Sequence, residues 1–390
     1  MAKGKYPNIA IFAPLYPPAF LGGGPIRTLS AMVAAARDPD AFFVLSSDRD
    51  LGAFERLPVH RNCWSTPSLA HVYYVSDDNL IQYVRGLLAI RRVQPALIYL
   101  NSVFNLKYSL VAQLLRPLGF WRNAQILVAP RGELSAGALA LKSRKKRLFL
   151  RGYVALGLHR YVNWHASSEL EATEIRKSFG LEATVFVREN ETELPRSAEL
   201  PEPAESGRLR LIFLSRLSRK KGLRLLLEAL ASVTEEVDLE IFGDPAEDPK
   251  YVAECRVRAG TLAANVRVSF CGSVVPERVR QQFLQNDVFV FPTAGENFGH
   301  VIAEALSASC PVLLQDVTPW TSRISNGGGF VIKDPSPITW ALAIDRLAKC
   351  TGSERRALRE DAARAYDQWM AEDHGPSVFD LLIAEHQFVS

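Results

Sequence analysis

Two carboxylates eight residues apart, Glu296 and Glu304, mark the part of the sequence whose chemistry is clearest. They lie in FVFPTAGENFGHVIAEAL, residues Phe289–Leu306, which predicts a strand, a polar turn and a helix that begins near Gly299. At 1.5 Å per helical residue the pair spans about 12 Å, close to the reach from a sugar to a ribose across a diphosphate. Taken singly, Glu296 is more simply a helix cap and Glu304 a solvated residue, but together their context favours binding of a ligand.

The residues between the two carboxylates add a site for negative charge. Asn297, Phe298 and Gly299 stand at the start of the predicted helix, where backbone N–H groups have no partner within the helix. Together with the helix dipole, such groups attract phosphate. We therefore expect this segment to hold sugar hydroxyls at Glu296, a diphosphate at the helix start and ribose hydroxyls at Glu304.

A second candidate is the basic turn in FLSRLSRKKGLRLLLEAL, residues Phe213–Leu230, between a strand and an amphipathic helix. Arg216 and Lys221 follow the carboxyl end of the strand. Fixed cations there could neutralise a diphosphate leaving group and lower the barrier to its departure. The alternative is a solvated basic turn, which is the interpretation we give to the other cations of the turn, Arg219, Lys220 and Arg224.

A glycine-rich loop follows the first predicted strand. The loop, LGGGPIRTLS at Leu21–Ser30, has three consecutive glycines that would let its backbone approach a phosphate closely. Pro25 suits the first turn of the helix that follows. The loop is not a dinucleotide-binding fingerprint, because Arg27 occupies the position of the third glycine. Glycine-rich turns are common, so this signal is weak by itself.

These candidates all follow strands in a regular alternation of strands and helices. Short apolar strands separated by helices predict parallel sheets covered on both faces, and such sheets bind ligands beyond the carboxyl ends of their strands. The strands predicted in the first half are Ile9–Ala13, Ala41–Leu45, His71–Val75, Leu97–Leu100, Gln125–Ala129 and Tyr161–His165. Those predicted in the second half are Leu209–Leu214, Val237–Phe242, Val266–Phe270, Val288–Phe291, Val312–Leu314 and Phe330–Ile332.

The alternation breaks at residues 188–208, a stretch rich in proline and glutamate that predicts a linker. The fold class is therefore α/β, with two Rossmann-like doubly wound domains that face each other across a central cleft. We place the first domain at residues 1–187 and the second at 209–352. The helical segment 353–390 is expected to cross back to the first domain.

Composition sets the broad class of the protein. A chain of 390 residues is long enough for two domains, and its 48% hydrophobic and 23% charged residues are typical of globular proteins. The net charge of +4 suits anionic ligands but is too small to indicate nucleic-acid binding. Five scattered cysteines and seven histidines show no metal-ligand spacing, so we expect no metal. We also find no signal peptide or membrane span, which predicts a cytoplasmic protein.

Taken in order, Gly22–Gly24, Ser215–Gly222 and Glu296–Glu304 resemble the motifs of the family 4, or group 1, retaining glycosyltransferases, which have the GT-B fold. The resemblance covers nearly the whole chain and is strongest over Leu209–Ile332, where ENFGHVIAEAL is the specific string. It implies that a UDP- or GDP-linked sugar is the donor and that no metal or other cofactor is needed. It also implies retention of anomeric configuration by front-face attack, with the leaving phosphate accepting the proton.

The resemblance also implies roles for domains and residues. The first domain would bind the acceptor and the second the nucleotide sugar. The catalytic residues would be Glu296, at the transferred sugar, with Arg216 and Lys221 at the diphosphate. The other donor-binding residues would be Gly23, Gly24, Gly243, Asn297, Phe298, Gly299 and Glu304, with Glu304 at the ribose.

The acceptor side departs from the family pattern. Many relatives carry a histidine in the loop after the fifth strand, whereas here APRGELSAG, Ala129–Gly137, places Arg131 in that loop. Arg131 could bind an acceptor phosphate or simply hold the loop, and the sequence does not decide between these roles. Arg27 and His165 are the other acceptor-side candidates. Close to His165, Ser168 and Glu171 have the spacing of a helix capping box.

Residues 139–153, LALKSRKKRLFLRGY, place six basic residues among leucines. A basic amphipathic helix can lie on an anionic membrane surface, although a solvated helix face explains the pattern equally well. An enzyme that extends a lipid-linked sugar would use such a helix to meet its acceptor at the inner face of the cell membrane.

Other function classes fit less well. A nicotinamide-dependent dehydrogenase would need the glycine fingerprint. A metal-dependent transferase would use Asp-x-Asp, and Asp38-x-Asp40 and Asp48-x-Asp50 lie in turns where aspartate is expected anyway. A sugar-binding protein without catalysis would be exported. A hydrolase or phosphorylase of the same fold is the closest rival, although Glu296 and Glu304 are too far apart to be paired glycosidase carboxylates.

We therefore predict a metal-independent, retaining glycosyltransferase. It would move a hexose from a nucleotide diphosphate sugar to a glycan or a lipid-linked sugar acceptor, in bacterial polysaccharide biosynthesis.

Overall fold

The computed structural model describes residues 6–140, 143–202, 207–373 and 375–387. The chain divides into two compact units. Unit 1 contains the described residues through Glu193 together with residues 375–387, and unit 2 contains those of Leu194–Asp373. The division falls inside the expected linker, and the expected C-terminal segment is shared between the two units. Among the described residues, no helix combines the length and apolar character needed to cross a membrane.

Unit 1 is built on an eight-stranded sheet in the order β3-β4-β2-β1-β5-β6-β7-β8, parallel except for the β3–β4 pair. Its strands are β1 Ile9–Phe12, β2 Phe42–Ser47, β3 Trp64–Ser65, β4 His71–Val75, β5 Leu97–Leu100, β6 Gln125–Val128, β7 Asn163–Ala166 and β8 Val185–Val187. Its helices are α1 Gly24–Ala34, α2 Leu80–Arg92, α3 Val111–Leu115, α4 Ala136–Ala140, α5 Ser143–Ala155 and α6 Glu169–Phe179. The strand order reverses between β1 and β5.

Unit 2 is built on a six-stranded parallel sheet in the order β11-β10-β9-β12-β13-β14. Its strands are β9 Leu209–Leu214, β10 Val237–Phe242, β11 Val266–Gly272, β12 Val288–Phe291, β13 Val312–Gln315 and β14 Gly329–Ile332. Its helices are α7 Leu223–Leu230, α8 Pro249–Ala259, α9 Pro276–Gln285, α10 His300–Ser307, α11 Thr321–Ser325, α12 Pro337–Ala348 and α13 Gly352–Ala371. A last helix, α14 Val378–Gln387, belongs to unit 1. The strand order of unit 2 reverses between β9 and β12, and ligands bind at such a reversal in open α/β sheets.

The strands explain why both sheets are covered on two faces. In β9, Leu211 and Phe213 pack into one apolar cluster, whereas Ile212 and Leu214 pack into another on the opposite face. Successive side chains of a strand point to opposite faces, so a continuous apolar run buries both. The parallel α/β architecture predicted from the sequence is confirmed.

Two strands were not predicted from the sequence, and the basic stretch predicted as one helix differs in the structure. The strands β3 and β8 have two and three residues and are only partly buried, too short for a periodic signal. The basic stretch 139–153 falls on α4 and α5, and residues 141 and 142 between them lie outside the described residues.

Candidate active site

The site predicted in unit 2 lies where β9 and β12 end side by side. These strands pair in parallel, with Val288 opposite Leu211 and Phe289 opposite Ile212. The basic turn follows β9 and the ENFG turn follows β12, so parallel pairing brings both turns to the same edge of the sheet. That edge is the carboxyl-end crevice at the reversal of strand order, where α/β sheets bind ligands.

Lys221 and Glu296, from the two turns, contact each other directly. The Lys221 Nζ lies 2.5 Å from Glu296 Oε2, and the two side chains are only 12% and 16% exposed. Lys221 Nζ also lies 5.2 Å from the centre of the Phe291 ring. The second carboxylate oxygen, Glu296 Oε1, accepts a hydrogen bond from the Asn297 N–H at 3.3 Å. A cation and a carboxylate, both largely buried, are thus held together at the carboxyl ends of these strands.

Close backbone packing holds the two turns together. Ala294 N–H donates to the Lys220 carbonyl at 2.8 Å. Gly222, the residue before α7, has φ of 79°, and a Cβ there would overlap the Pro292 carbonyl oxygen. Only glycine meets both conditions without strain. The spacing of Lys221 and Glu296 is therefore set by backbone contact as well as by their ion pair.

Arg216 lies in the same basic turn but on its exposed side. Its Nη1 is 3.0 Å from Glu247 Oε1, and the two side chains are 53% and 28% exposed. Exposed ion pairs contribute little to stability, so the guanidinium can turn to another anion at small cost. Gly243, at the end of β10, packs so closely on this turn that a Cβ would overlap the Ser215 carbonyl oxygen.

The segment before α10 differs in detail from the expected anion site. Gly299 is the N-cap residue of α10, and no side chain caps the helix there, so Glu296 is not a cap. The Asn297 N–H is directed at Glu296. Phe298 is buried, and its carbonyl accepts a hydrogen bond from Trp320 Nε1 at 2.6 Å.

Glu304 lies within α10 and is only 5% exposed, in a run of six buried residues from Ile302 to Ser307. The alternative interpretation of Glu304, as a solvated helix residue, is therefore wrong. Carboxylates are seldom buried to this extent unless they are paired.

The glycine-rich loop of unit 1 is held by an aspartate that the sequence suggested was an ordinary turn residue. The buried Asp50 carboxylate accepts hydrogen bonds from the backbone N–H groups of Phe20 at 2.8 Å and Leu21 at 3.2 Å. Gly23 is the N-cap of α1, and the predicted proline in the first turn is present. Asp50 therefore fixes the backbone just before Gly23 and Gly24.

Asp48, the partner of Asp50 in the Asp-x-Asp pattern, is fully buried. It forms ion pairs with Arg56 at 3.5 Å and Arg61 at 3.6 Å. Burial raises the pKa of Asp48, and Arg56 opposes this shift. In the described part of the chain, no three His, Cys, Asp or Glu side chains are grouped so that they could hold a metal ion.

Arg131 lies at the centre of a polar network at the carboxyl ends of β5, β6 and β7. Its Nε donates to Asn101 Oδ1 at 2.8 Å, and its Nη2 donates to the Tyr99 hydroxyl at 2.5 Å. Its Nη1 donates to Asn190 Oδ1, and Nη2 also approaches the Met32 sulfur at 3.4 Å. These contacts within unit 1 support a role in holding the loop, the second of the two roles considered from the sequence.

His165 continues this network. The Arg188 carbonyl can only accept, so His165 Nε2 carries the proton and donates to it at 3.0 Å. His165 Nδ1 is then the acceptor for the Tyr99 hydroxyl at 2.8 Å. Burial, reinforced by the charge of Arg131, lowers the pKa of His165 to about 3. The imidazole is therefore neutral and fully hydrogen-bonded.

Ser168 and Glu171, the expected capping box, follow the candidate His165 in the sequence, and Arg27 is the remaining acceptor-side candidate. The Ser168 hydroxyl caps α6 by accepting from the Glu171 N–H at 3.2 Å. The Glu171 carboxylate does not close the expected capping box, because it accepts from the N–H groups of Gly132 at 2.7 Å and Ser167 at 2.8 Å. In α1, burial lowers the pKa of Arg27, and the nearby Glu193 carboxylate opposes this shift.

Sequence reasoning missed three side chains that contact these groups or the backbone of their turns: Tyr99, Thr293 and Asp50. Each is polar, buried and at or just beyond the carboxyl end of a strand. That combination is the only signal that could have found them.

Residues 198–365 match the family model described as glycosyl transferases group 1. The D-inositol 3-phosphate glycosyltransferase of Xylanimonas cellulosilytica is 30% identical over 156 residues, which are 40% of this chain and 37% of the relative. The phosphatidyl-myo-inositol mannosyltransferase of Mycobacterium tuberculosis is 30% identical over 197 residues, covering 45% of this chain and 50% of the relative. These alignments thus take in half or less of the length of the relatives.

The fold extends the likeness over the whole chain. The crystal structure of Anabaena Alr3699/HepE in complex with UDP and glucose has a TM-score of 0.73 at 18% identity, covering 99% of this chain and 100% of that chain. At this identity the likeness speaks for the fold alone. The GT-B fold predicted from the sequence is confirmed.

Proposed function

We propose that this chain, whose residues 198–365 match the family model of the group 1 glycosyltransferases, transfers a hexose from a nucleotide diphosphate sugar. The acceptor is a glycan or a lipid-linked sugar in bacterial polysaccharide biosynthesis. UDP and glucose in the complex of Anabaena Alr3699/HepE support the donor class. A mannosyltransferase acting on a phosphatidyl-inositol lipid, among the sequence relatives, supports the acceptor class.

One observation carries the proposal: Lys221 and Glu296 meet at the carboxyl-end crevice between β9 and β12. Glu296 binds hydroxyls of the transferred sugar, and Lys221 binds the adjoining diphosphate. The Lys221 ammonium has three N–H donors, so it can contact a phosphate oxygen while still holding Glu296. The buried Glu304 binds the ribose hydroxyls, and Gly243 gives the nucleotide close access to the backbone.

The same groups account for the chemistry. As the bond between the sugar C1 and the phosphate oxygen breaks, negative charge grows on that oxygen, and Lys221 and Arg216 stabilise it. The acceptor hydroxyl attacks C1 from the face that the diphosphate leaves, and its proton passes to the leaving phosphate oxygen. The configuration at C1 is retained, and the charge of the leaving group is met by side chains, so the proposal includes no metal.

Donor turnover is the direct test of this function. The purified chain is assayed with a panel of UDP- and GDP-linked hexoses, with release of the nucleoside diphosphate as the measurement. Glu296→Gln should lower turnover by about 100-fold or more, whereas Glu277→Gln, an exposed glutamate of α9, should behave like the wild type. If no nucleotide sugar is bound or turned over by the wild type, the proposal fails.

The same assay separates the rival functions. A sugar-nucleotide hydrolase would reach its full rate with water alone, and a phosphorylase would require inorganic phosphate. A two-domain sugar-binding protein would bind donors without turnover. A glycosyltransferase should accelerate when a membrane extract containing lipid-linked glycans is added, and the new product should carry the donor sugar.

We also propose that unit 1 contacts an anionic membrane surface through α5. Between Ser102 and Val162 the sequence has eleven lysines and arginines and a single carboxylate, Glu133. The basic residues Arg144, Lys145, Arg147 and Arg151 are exposed on α5. The apolar side chains of Leu148 and Leu156 are 72% and 66% exposed beside them. Basic groups with exposed leucines suit anionic headgroups and the apolar layer beneath them.

A further inference from the structure

We infer that Thr293 is a positioning residue for the reaction. It holds the turn after β12 in the shape that keeps Glu296 beside Lys221. The inference rests on the proposed function, because it assigns Thr293 a role in the site where that function places the donor. Thr293 does not itself contact the reacting groups and acts through the two turns.

Thr293 is fully buried, and all contacts of its hydroxyl are with the backbone of the two turns. Its Oγ1 lies 3.0 Å from the Gly295 carbonyl oxygen and accepts the Gly295 N–H at 3.4 Å. The Lys220 carbonyl oxygen, in the other turn, is 3.4 Å from the same hydroxyl. One buried hydroxyl therefore touches the residue before Glu296 and the residue before Lys221.

The backbone carries this constraint to the ion pair. The hydroxyl closes the turn at Gly295, and this turn presents the Ala294 N–H to the Lys220 carbonyl at 2.8 Å. Lys221 and Glu296 are the next residues along each segment, and their charged atoms are 2.5 Å apart. Lys221 directly follows Lys220 and Glu296 directly follows Gly295, so a shift of either turn moves one charged group relative to the other.

A purely structural role would follow from the volume of Thr293, whereas positioning depends on its hydroxyl. Thr293→Val keeps the shape and removes the hydroxyl, leaving the Gly295 N–H without this acceptor. Thr293→Ser keeps the hydroxyl and removes a methyl group. The two variants therefore separate an effect of side-chain volume from an effect of the hydroxyl. If Thr293→Val does not fold, Thr293→Ala, which adds no apolar bulk, replaces it.

The kinetic test uses the full chain and the UDP- or GDP-hexose that the wild type turns over. A misplacement of about 1 Å can cost about 100-fold in rate. Thr293→Val should therefore lower kcat by between about 10- and 100-fold, whereas Thr293→Ser stays close to the wild type. Binding of UDP or GDP alone, measured by calorimetry, should change little, because the diphosphate retains Lys221 and Arg216. Unchanged kcat in Thr293→Val, or equal losses in both variants, would overturn the inference.

A second measurement does not depend on activity. Lys221 is 12% exposed and paired with Glu296, whereas Lys349 in α12's C-cap position is 66% exposed. Labelling of lysines by an amine-reactive ester, read by peptide mass spectrometry, should rise at Lys221 in Thr293→Val and not in Thr293→Ser, with Lys349 as the internal reference. Unchanged labelling would refute the positioning role even if no donor were turned over. The inference about Thr293 can therefore fail while the proposed function stands, and the reverse.

Discussion

At the scale of single residues, His165 shows how burial settles the state of a titratable group. Its two ring nitrogens are both engaged in the neutral form, with the Arg188 carbonyl and the Tyr99 hydroxyl. Protonation would place a second positive charge near Arg131, which explains why the charge of Arg131 adds to burial in lowering the pKa. The neutral ring holds β7 to β5 and to the segment that follows β8.

This state predicts a specific loss of stability in acid. The pKa of His165 is about 3 in the fold and about 6.5 when unfolded, so between these values the unfolded chain binds the extra proton. Stability therefore falls as pH falls, by about 2 kcal/mol between pH 7 and pH 5. His165→Gln cannot titrate, so urea unfolding at both pH values should show a smaller loss for this variant. Parallel losses in the two proteins would contradict the assignment.

At the scale of elements, the glycine-rich loop depends on the turn after β2. Three backbone N–H groups, those of Phe20, Leu21 and Leu51, donate to the Asp50 carboxylate. The loop lies between β1 and α1, at the edge of the sheet where the strand order of unit 1 reverses. The Asp50 carboxylate, from the turn after the neighbouring strand β2, therefore satisfies backbone N–H groups of this loop that have no partner in the sheet.

Removing this carboxylate should loosen the loop. Asp50→Ala leaves three N–H groups without their acceptor, which should cost about 1–3 kcal/mol of unfolding free energy. Amide hydrogen exchange of residues 20–24 should become faster than in the wild type. Asp40→Ala, at an exposed aspartate near the start of β2, serves as the control and should change stability by less than about 0.5 kcal/mol. Unaltered exchange in Asp50→Ala would show that the loop is held by other contacts.

At the scale of the whole molecule, charge is distributed very unevenly. The chain has a net charge of +4, yet residues 102–162 alone carry eleven basic groups and one acidic group. The remainder of the sequence is therefore net acidic. This asymmetry gives unit 1 one strongly basic region, which a membrane of anionic lipids would attract and orient.

A charge-reversal experiment tests the membrane proposal. Arg144→Glu, Lys145→Glu and Arg151→Glu together should weaken binding to vesicles containing phosphatidylglycerol by on the order of 100-fold, at about 1 kcal/mol per charge removed. Binding is measured by co-sedimentation, with pure phosphatidylcholine vesicles for comparison. The control reverses three exposed arginines of unit 2, Arg267, Arg278 and Arg346, and so makes the same change in net charge. Equal weakening in the two triple variants would indicate general charge attraction instead of a surface on α5.

The sequence by itself determined the elements of the fold and the residue types of the site. Apolar strands such as β12, and β9 apart from Arg210, can be predicted from the sequence because burial on both faces leaves them few polar positions. The turns that contain Glu296 and Lys221 can be predicted because they follow such strands. Short edge strands such as β3 have too few residues for any period to show.

Only the tertiary structure decided how these residues are used. Lys221 and Glu296 are 75 residues apart in sequence and meet because β9 and β12 pair in the sheet. The same pairing brings Thr293 against the turn of Lys220, and the fold turns Arg131 onto Tyr99 and Asn101. Such contacts depend on strand order and on the direction of single side chains. Neither strand order nor side-chain direction can be predicted from the local sequence, because both depend on contacts with distant parts of the chain.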